Sequence, residues 1–92
     1  MLSPFTVSET EFALDPPDGK AAAGPVTIEV TNDGQTVHNL EVEGNGIEEI
    51  TSDLQPGDSE TLELELEPGT YRWYCAIGDH AAQGMDGKLT VE

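Results

Sequence analysis

The sequence predicts an all-β protein: a sandwich of two sheets with Greek-key connections. Apolar and polar residues alternate along several short segments, and glycine, proline, asparagine and aspartate cluster between those segments. The length of 92 residues suits a single modest core, so we expect one domain over residues 1–92. No segment shows the apolar periodicity of a helix of ordinary length.

Each alternating segment predicts a strand with one face in the core and one in water. Their inward positions are Val26, Ile28 and Val30; Leu40 and Val42; Leu62, Leu64 and Leu66; Tyr71, Trp73 and Cys75; and Leu89 and Val91. Residues 3–14, with Val7, Phe12 and Leu14, predict one or two opening strands, and residues 47–54 could hold a short helical turn. Turns are expected at 16–20, 32–34, 44–46, 55–58 and 67–70.

The charge of the chain excludes some kinds of partner. With 3 Lys+Arg against 19 Asp+Glu, the formal net charge is −16, which disfavours nucleic acid and anionic membrane surfaces. It favours either a basic protein partner or adaptation to a salty habitat. No signal peptide or bilayer-spanning run is visible, and the sequence leaves open whether an export signal or anchor has been removed.

Four potential metal ligands are placed toward one end of the predicted sandwich. His38, Cys75 and Met85 share the inward phase of their strands, and each stands at a strand end. If the strand over 71–75 runs antiparallel to the other two, these three residues meet at one pole. His80 lies in the intervening loop and can fold back to the same point.

The chemistry of these donors favours copper. Methionine is not a usual ligand of zinc or of hard cations, whereas two histidines and a cysteine with a weak axial methionine form the blue-copper arrangement. Each side chain alone has an ordinary interpretation: a buried thiol, a core histidine, a loop histidine and a methionine that fills a gap. The single cysteine excludes an internal disulfide.

Two stretches carry a family resemblance: GPVTIEVTNDGQTVHNLEV at 24–42 and PGTYRWYCAIGDHAAQGMDGKLTV at 68–91. The specific part is Cys-x4-His-x4-Met with a lone upstream His-Asn. On these motifs the chain resembles the cupredoxins, the small blue-copper family that includes the plastocyanins, with a loop similar to the rusticyanin type.

The resemblance implies a ligand set and its support. His38, Cys75 and His80 would be the equatorial ligands and Met85 the axial one. Asn39 would help to hold the thiolate and the ligand loop. Val37 stands where a glycine would let a backbone carbonyl approach the metal, so we expect four-coordination.

The resemblance also implies a function. The protein would cycle one type 1 copper between Cu(I) and Cu(II) as a single-electron carrier, and would not be an enzyme. Electrons would leave through the exposed edge of His80, ringed by Ala76, Ile77, Ala81, Ala82 and Gly84. Its partners would be redox proteins, for example a basic cytochrome or a membrane oxidase complex. The protein would be monomeric and periplasmic or otherwise extracytoplasmic.

Other functions remain open on the sequence. The chain could be a copper carrier or sensor module, a detached domain of a larger copper oxidase, or a metal-free sandwich used for protein contacts. A redox thiol would lack a resolving cysteine within the chain. Tyr74 has the outward phase and could belong to an acidic docking surface formed with Glu63, Glu65 and Glu67, if their strand adjoins.

Overall fold

The computed structural model describes residues 5–92, and Phe5 only in its backbone. These residues form strands and no helix, which confirms the predicted all-β class. The strands are β1 (Phe5–Thr10), β2 (Ala13–Asp15), β3 (Asp18–Ala21), β4 (Gly24–Asn32), β5 (Glu41–Gly44), β6 (Ile47–Ile50), β7 (Ser59–Leu66), β8 (Gly69–Tyr74) and β9 (Asp86–Val91).

The strands form two sheets. One has the order β2-β1-β4-β7 and the other β3-β9-β8-β5-β6, so the chain crosses between sheets after β2, β3, β4, β6 and β7. The pairs β1–β4 and β3–β9 are parallel, and the remaining pairs are antiparallel. This is the expected β-sandwich.

The alternation in the sequence fixes which face of each strand enters the core. In β4 and β7 the inward residues stand opposite one another, Val26 against Leu64 and Ile28 against Leu62, and all four are buried. A slip of one residue would turn every one of these side chains to solvent, so burial specifies the register. The opposite sheet contributes Trp73 and other buried side chains to the same core.

The segment after β5 is a strand rather than a helical turn over its first half. Ile47–Ile50 forms β6, a hairpin partner of β5. The reason lies in the turn: Asn45 and Gly46 both have positive φ, 52° and 83°. Asn-Gly at the two central positions is the preferred sequence of a type I′ hairpin turn, whose twist matches antiparallel strands.

Two other expectations need correction. Residues 16–20 were expected to form a turn, but Asp18–Ala21 is the edge strand β3, parallel to β9. Phe12 lies in the turn between β1 and β2 rather than in a strand. Residues 3 and 4 of the expected opening strands lie outside the described residues.

The strand directions bring the predicted ligands together. Strand β8 pairs antiparallel with both β5 and β9, and Tyr74 stands opposite Glu41 and Asp86. The end of β8 therefore lies beside the starts of β5 and β9. Cys75 directly follows β8 and Met85 directly precedes β9, as the predicted pole requires.

One buried acid stands out in the core. Glu9 on β1 is 0% exposed, and neither of its carboxyl oxygens has a hydrogen-bond partner among the described residues. Burial raises the pKa of Glu9 from 4.5 to about 8, because a charged carboxylate is costly in an apolar surrounding. The folded chain therefore holds this proton at neutral pH.

Glu9 is expected to make stability fall as pH rises. Between about pH 4.5 and pH 8 the folded state keeps the proton that the unfolded state has lost, so folding takes up a proton. One such group contributes a slope of at most about 1.4 kcal/mol per pH unit, with stability lost as pH increases. Glu9→Gln should remove that contribution from urea-unfolding free energies measured between pH 5 and pH 8.

The matched control is Glu29→Gln, which removes one exposed carboxylate from the adjacent strand β4. It should leave the pH slope as it is in the parent protein. Equal slopes for Glu9→Gln and the parent would contradict a neutral buried Glu9.

Candidate metal centre

His38 is fixed on the segment that leads into β5. Its backbone forms an antiparallel bridge with Leu54, with N···O distances of 3.0 and 2.7 Å. The Asn32 side-chain amide donates to the carbonyls of Thr36 and Leu54, both at 2.8 Å, which ties the preceding loop to the same point. The imidazole is 0% exposed, so its orientation is set by the protein and not by solvent.

Cys75 is buried at the end of β8. Its backbone N–H donates to the Met85 carbonyl at 3.0 Å, and its sulfur accepts the backbone N–H of Asn39 at 3.5 Å. Burial raises the pKa of the Cys75 thiol, while the N–H groups of Asn39 and Ile77 act in the opposite direction. Because burial disfavours the charged form, a cation beside the sulfur would stabilise the Cys75 thiolate.

The loop between Cys75 and Met85 returns the other two donors. The backbone N–H of His80 donates to the Ile77 carbonyl, and the backbone N–H of Met85 donates to the His80 carbonyl, both at 3.1 Å. Met85 is fully buried, whereas His80 keeps a partly exposed edge. All four predicted residues thus lie at one end of the sandwich.

Three donor atoms form a tight group. The Cys75 sulfur lies 3.9 Å from Nδ1 of His38 and 3.6 Å from Nδ1 of His80. Bonds of about 2.3 Å to sulfur and 2.0 Å to nitrogen, set at 120°, would place sulfur and nitrogen about 3.7 Å apart. The two sulfur–nitrogen distances therefore fit one ion that these three residues would hold together. With a thioether as the fourth donor, the set suits type 1 copper.

Asn39 joins the two ligand segments. Its side-chain oxygen accepts the N–H of Ala76 at 2.7 Å, and its side-chain amide donates to Asp53 at 3.3 Å. Its backbone N–H reaches the Cys75 sulfur. Asn39 therefore makes a hydrogen bond toward the thiol and another toward the ligand loop, the two contacts that the expected supporting role needs.

Glu11 was missed by the sequence reasoning. Its carboxylate lies 2.7 Å from Nε2 of His38, on the side of the ring opposite the thiol. It also accepts hydrogen bonds from the N–H of Gln35, and from the N–H and hydroxyl of Thr36. Partial burial works to raise the pKa of Glu11, but these hydrogen bonds outweigh it and lower the pKa to about 2. The sequence did carry a signal for Glu11: Val7, Glu9 and Glu11 stand at alternate positions, so the alternation that turns Val7 toward the core also turns Glu11 inward.

His80 is partly exposed, and the loop that carries it is rich in small and apolar residues. Phe12 packs against the imidazole with ring centroids 4.8 Å apart. Gly84 has φ of +136°, and a β carbon there would lie 2.5 Å from the Phe12 carbonyl oxygen, so only glycine fits. The predicted patch is at the surface: Ala76, Ala82 and Gly84 are exposed, and Ile77 and Ala81 are partly exposed.

The acidic groups near Tyr74 are not the ones expected. Glu63, Glu65 and Glu67 belong to β7 or directly follow it, and β7 lies in the other sheet from β8. The carboxylates beside Tyr74 are instead those of Glu41 and Glu43 on β5. Glu48 of β6 joins them, since Glu41, Glu43 and Glu48 have carboxylate oxygens within 4.8 Å of one another. We call these three residues the β5–β6 acidic cluster.

Electrostatics tie Tyr74 to this cluster. Burial, and then a hydrogen bond with Glu41, raise the pKa of Tyr74 to about 12. A hydrogen bond with Glu48, together with burial, raises the pKa of Glu41. The Arg72 guanidinium lies 3.8 Å from the centre of the Tyr74 ring, and it pairs with Asp86 and, at 3.6 Å, with Glu43 of the cluster. The cluster is therefore negative but partly neutralised at one side.

Within residues 5–92, no helix has the length and apolar character needed to cross a membrane.

Comparisons with known proteins agree with this geometry. A cupredoxin-like domain family matches residues 3–91. The chain is 55% identical over 40 residues to the chloroplastic plastocyanin major isoform of Arabidopsis thaliana, a match that covers 42% of this chain and 23% of that protein.

Solved structures show the same fold. Reduced auracyanin from the photosynthetic bacterium Roseiflexus castenholzii superposes with a TM-score of 0.87 at 23% identity, covering 97% of this chain and 96% of that one. A copper-containing nitrite reductase from Thermus scotoductus gives 0.77 at 21% identity, covering 98% of this chain but 22% of that one. With the family match over nearly its whole length, the chain belongs to the cupredoxin-like family.

Proposed function

We propose that the protein is a type 1 copper electron carrier built on a single cupredoxin-like domain over residues 1–92. His38, Cys75 and His80 would be the equatorial ligands and Met85 the axial ligand of one copper ion. The observation that supports this most directly is the spacing of the thiol and the two Nδ1 atoms, 3.6 and 3.9 Å, in a largely buried pole. The family membership supports it independently.

Copper bound there would supply a one-electron Cu(I)/Cu(II) couple. The chain's own contribution is rigidity and exclusion of water. Asn39 holds the sulfur and the ligand loop at the same time, and the backbone bridge between Cys75 and Met85 closes the loop on itself. Ligands fixed before electron transfer move little during it, which keeps the reorganisation cost low.

The exit for the electron would be His80. It is the one proposed histidine ligand with a partly exposed ring, and the apolar residues around it form a surface that a partner can cover without burying charge. Phe12 is part of this surface together with the five residues expected from the loop.

The alternatives have less support. A copper carrier or sensor must release or exchange its ion, whereas His38, Cys75 and Met85 are buried. A domain of a larger copper oxidase is compatible with the fold, because the chain matches part of a copper-containing nitrite reductase. The proposed chemistry makes and breaks no substrate bond, so the protein would not be an enzyme by itself.

The charge and the family suggest the setting. A net charge of −16 would steer a basic partner, such as a cytochrome or the basic face of a membrane oxidase complex. We propose a monomer in a periplasmic or other extracytoplasmic compartment. The curated plastocyanin relative is chloroplastic, and this chain matches about a quarter of its length.

Copper binding is expected to give an intense visible band. One equivalent of Cu(II) added to the apoprotein should turn it blue, through charge transfer from the Cys75 thiolate, and reduction should bleach the colour. Cys75→Ser should abolish the band, whereas Val42→Thr, a similar buried replacement in the same sheet, should retain it. A pale band that survives Cys75→Ser would reject the electron-carrier proposal.

Asn39→Ala is expected to destabilise the apoprotein by about 1–3 kcal/mol, because the N–H of Ala76 and the carboxylate of Asp53 lose their partner. Urea unfolding would measure the change. A difference below about 0.5 kcal/mol, the range of ordinary surface substitutions, would mean that the Asn39 hydrogen bonds contribute little to the free energy of unfolding.

The β5–β6 acidic cluster is expected to set the encounter rate with a basic partner. Electron transfer to a basic cytochrome c should slow as salt is added and should be slower at low salt for Glu43→Gln/Glu48→Gln. The control Glu63→Gln/Glu65→Gln removes two charges from the other sheet. Equal rates for the two double variants would indicate overall charge rather than a docking site.

A further inference from the structure

Glu11 is in an unusual position for a carboxylate. It lies in the turn between β1 and β2, yet its side chain reaches the buried ring of His38, 27 positions later in the chain. Four donor groups converge on it: the N–H of Gln35, the N–H and hydroxyl of Thr36, and Nε2 of His38.

The loop over residues 33–37 is shaped around this carboxylate. Consecutive backbone N–H groups of Gln35 and Thr36 point at its oxygens, at 2.8 to 3.0 Å. A β carbon on Gly34 would collide with the same carboxylate, so the loop comes as close as a glycine allows. Such converging N–H groups hold an anion and keep it ionised.

The contact also determines what His38 can do. A neutral imidazole carries a proton on one ring nitrogen only. The ionised Glu11 carboxylate, 2.7 Å from Nε2, can only accept a hydrogen bond, so the ring proton stays on Nε2 and donates to it. Nδ1 then carries no proton and lies 3.9 Å from the Cys75 sulfur. Ligating histidines held in this way by a carboxylate are better oriented and more basic.

We propose that Glu11 is the positioning residue of the buried histidine ligand: its carboxylate fixes the His38 ring with Nδ1 toward the metal and places a negative charge beside the site. The inference rests on the proposed copper site for its redox consequence. The charge favours the more positive oxidation state, so Glu11 lowers the reduction potential. Glu11 acts on the metal site through His38.

The first test uses the copper-loaded protein. Glu11→Gln should weaken Cu(II) binding by about tenfold to a hundredfold. Each tenfold loss of Cu(II) affinity relative to Cu(I) corresponds to a rise of about 59 mV in reduction potential for one electron. Potentials would be measured by redox titration of the blue band.

Two controls separate the proposed role from simpler ones. Glu29→Gln removes one exposed carboxylate from β4, where Glu29 pairs with Thr6 of β1, and measures the effect of net charge. Thr36→Val removes one donor from the loop but keeps the carboxylate against His38. Both should leave the potential near that of the parent. A potential for Glu11→Gln equal to that of Glu29→Gln would overturn the proposal.

The second test needs no copper. In metal-free protein labelled with ¹⁵N, the His38 ring nitrogens should show the proton on Nε2, and Glu11→Ala should lose this preference. Identical ring signals in the two proteins would overturn the proposal. If Glu11→Ala does not fold, Glu11→Asp, which withdraws the carboxylate by one methylene, should weaken Cu(II) binding, and unchanged affinity would overturn it.

The two tests also separate this inference from the proposed function. A parent protein without a thiolate-dependent blue band would reject the copper carrier. The metal-free measurement would still decide whether Glu11 fixes the His38 ring.

Discussion

The pairing of β8 with both β5 and β9 is the constraint on which the rest of the metal centre depends. It places the end of one strand beside the starts of two others, so residues far apart in sequence meet at one pole. Asn39 then stabilises this arrangement, because its side chain hydrogen-bonds the segment of His38 to the segment of Cys75. A site assembled from three strand ends is as rigid as the sheet that carries it.

Much of this was predictable because an alternation of period two shows which side chains of a strand face the core. The inward phase of His38, Cys75 and Met85 followed from their neighbours, and burial confirms it. What the alternation could not encode is the assignment of strands to sheets, so the acids of β7 were expected beside Tyr74 when those of β5 and β6 lie there. The Asn-Gly hairpin at 45–46 was a local signal for β6 that the ambiguous pattern of 47–54 obscured.

Glu9 on β1 and Glu11 in the turn that follows it mark the limit of such reasoning in a different way. Glu9 and Glu11 share one phase and lie two residues apart, yet one is a buried neutral acid and the other a carboxylate held by four donor groups. The difference comes from the loop at 33–37, which reaches Glu11 and supplies three of its four donor groups, the fourth being Nε2 of His38. No pattern within β1 contains that information, since the donors come from a segment more than twenty residues away.

The close approach of Gly84 to the Phe12 carbonyl links the ligand loop to the opening hairpin. Phe12 covers His80 on one side while the adjacent Glu11 holds His38, so a single turn supports both histidines. The Cys75–Met85 loop is therefore not an independent module. Engineers who graft a loop of another length onto this scaffold would have to redesign residues 11–12 with it, and natural changes in the two segments should have been selected together.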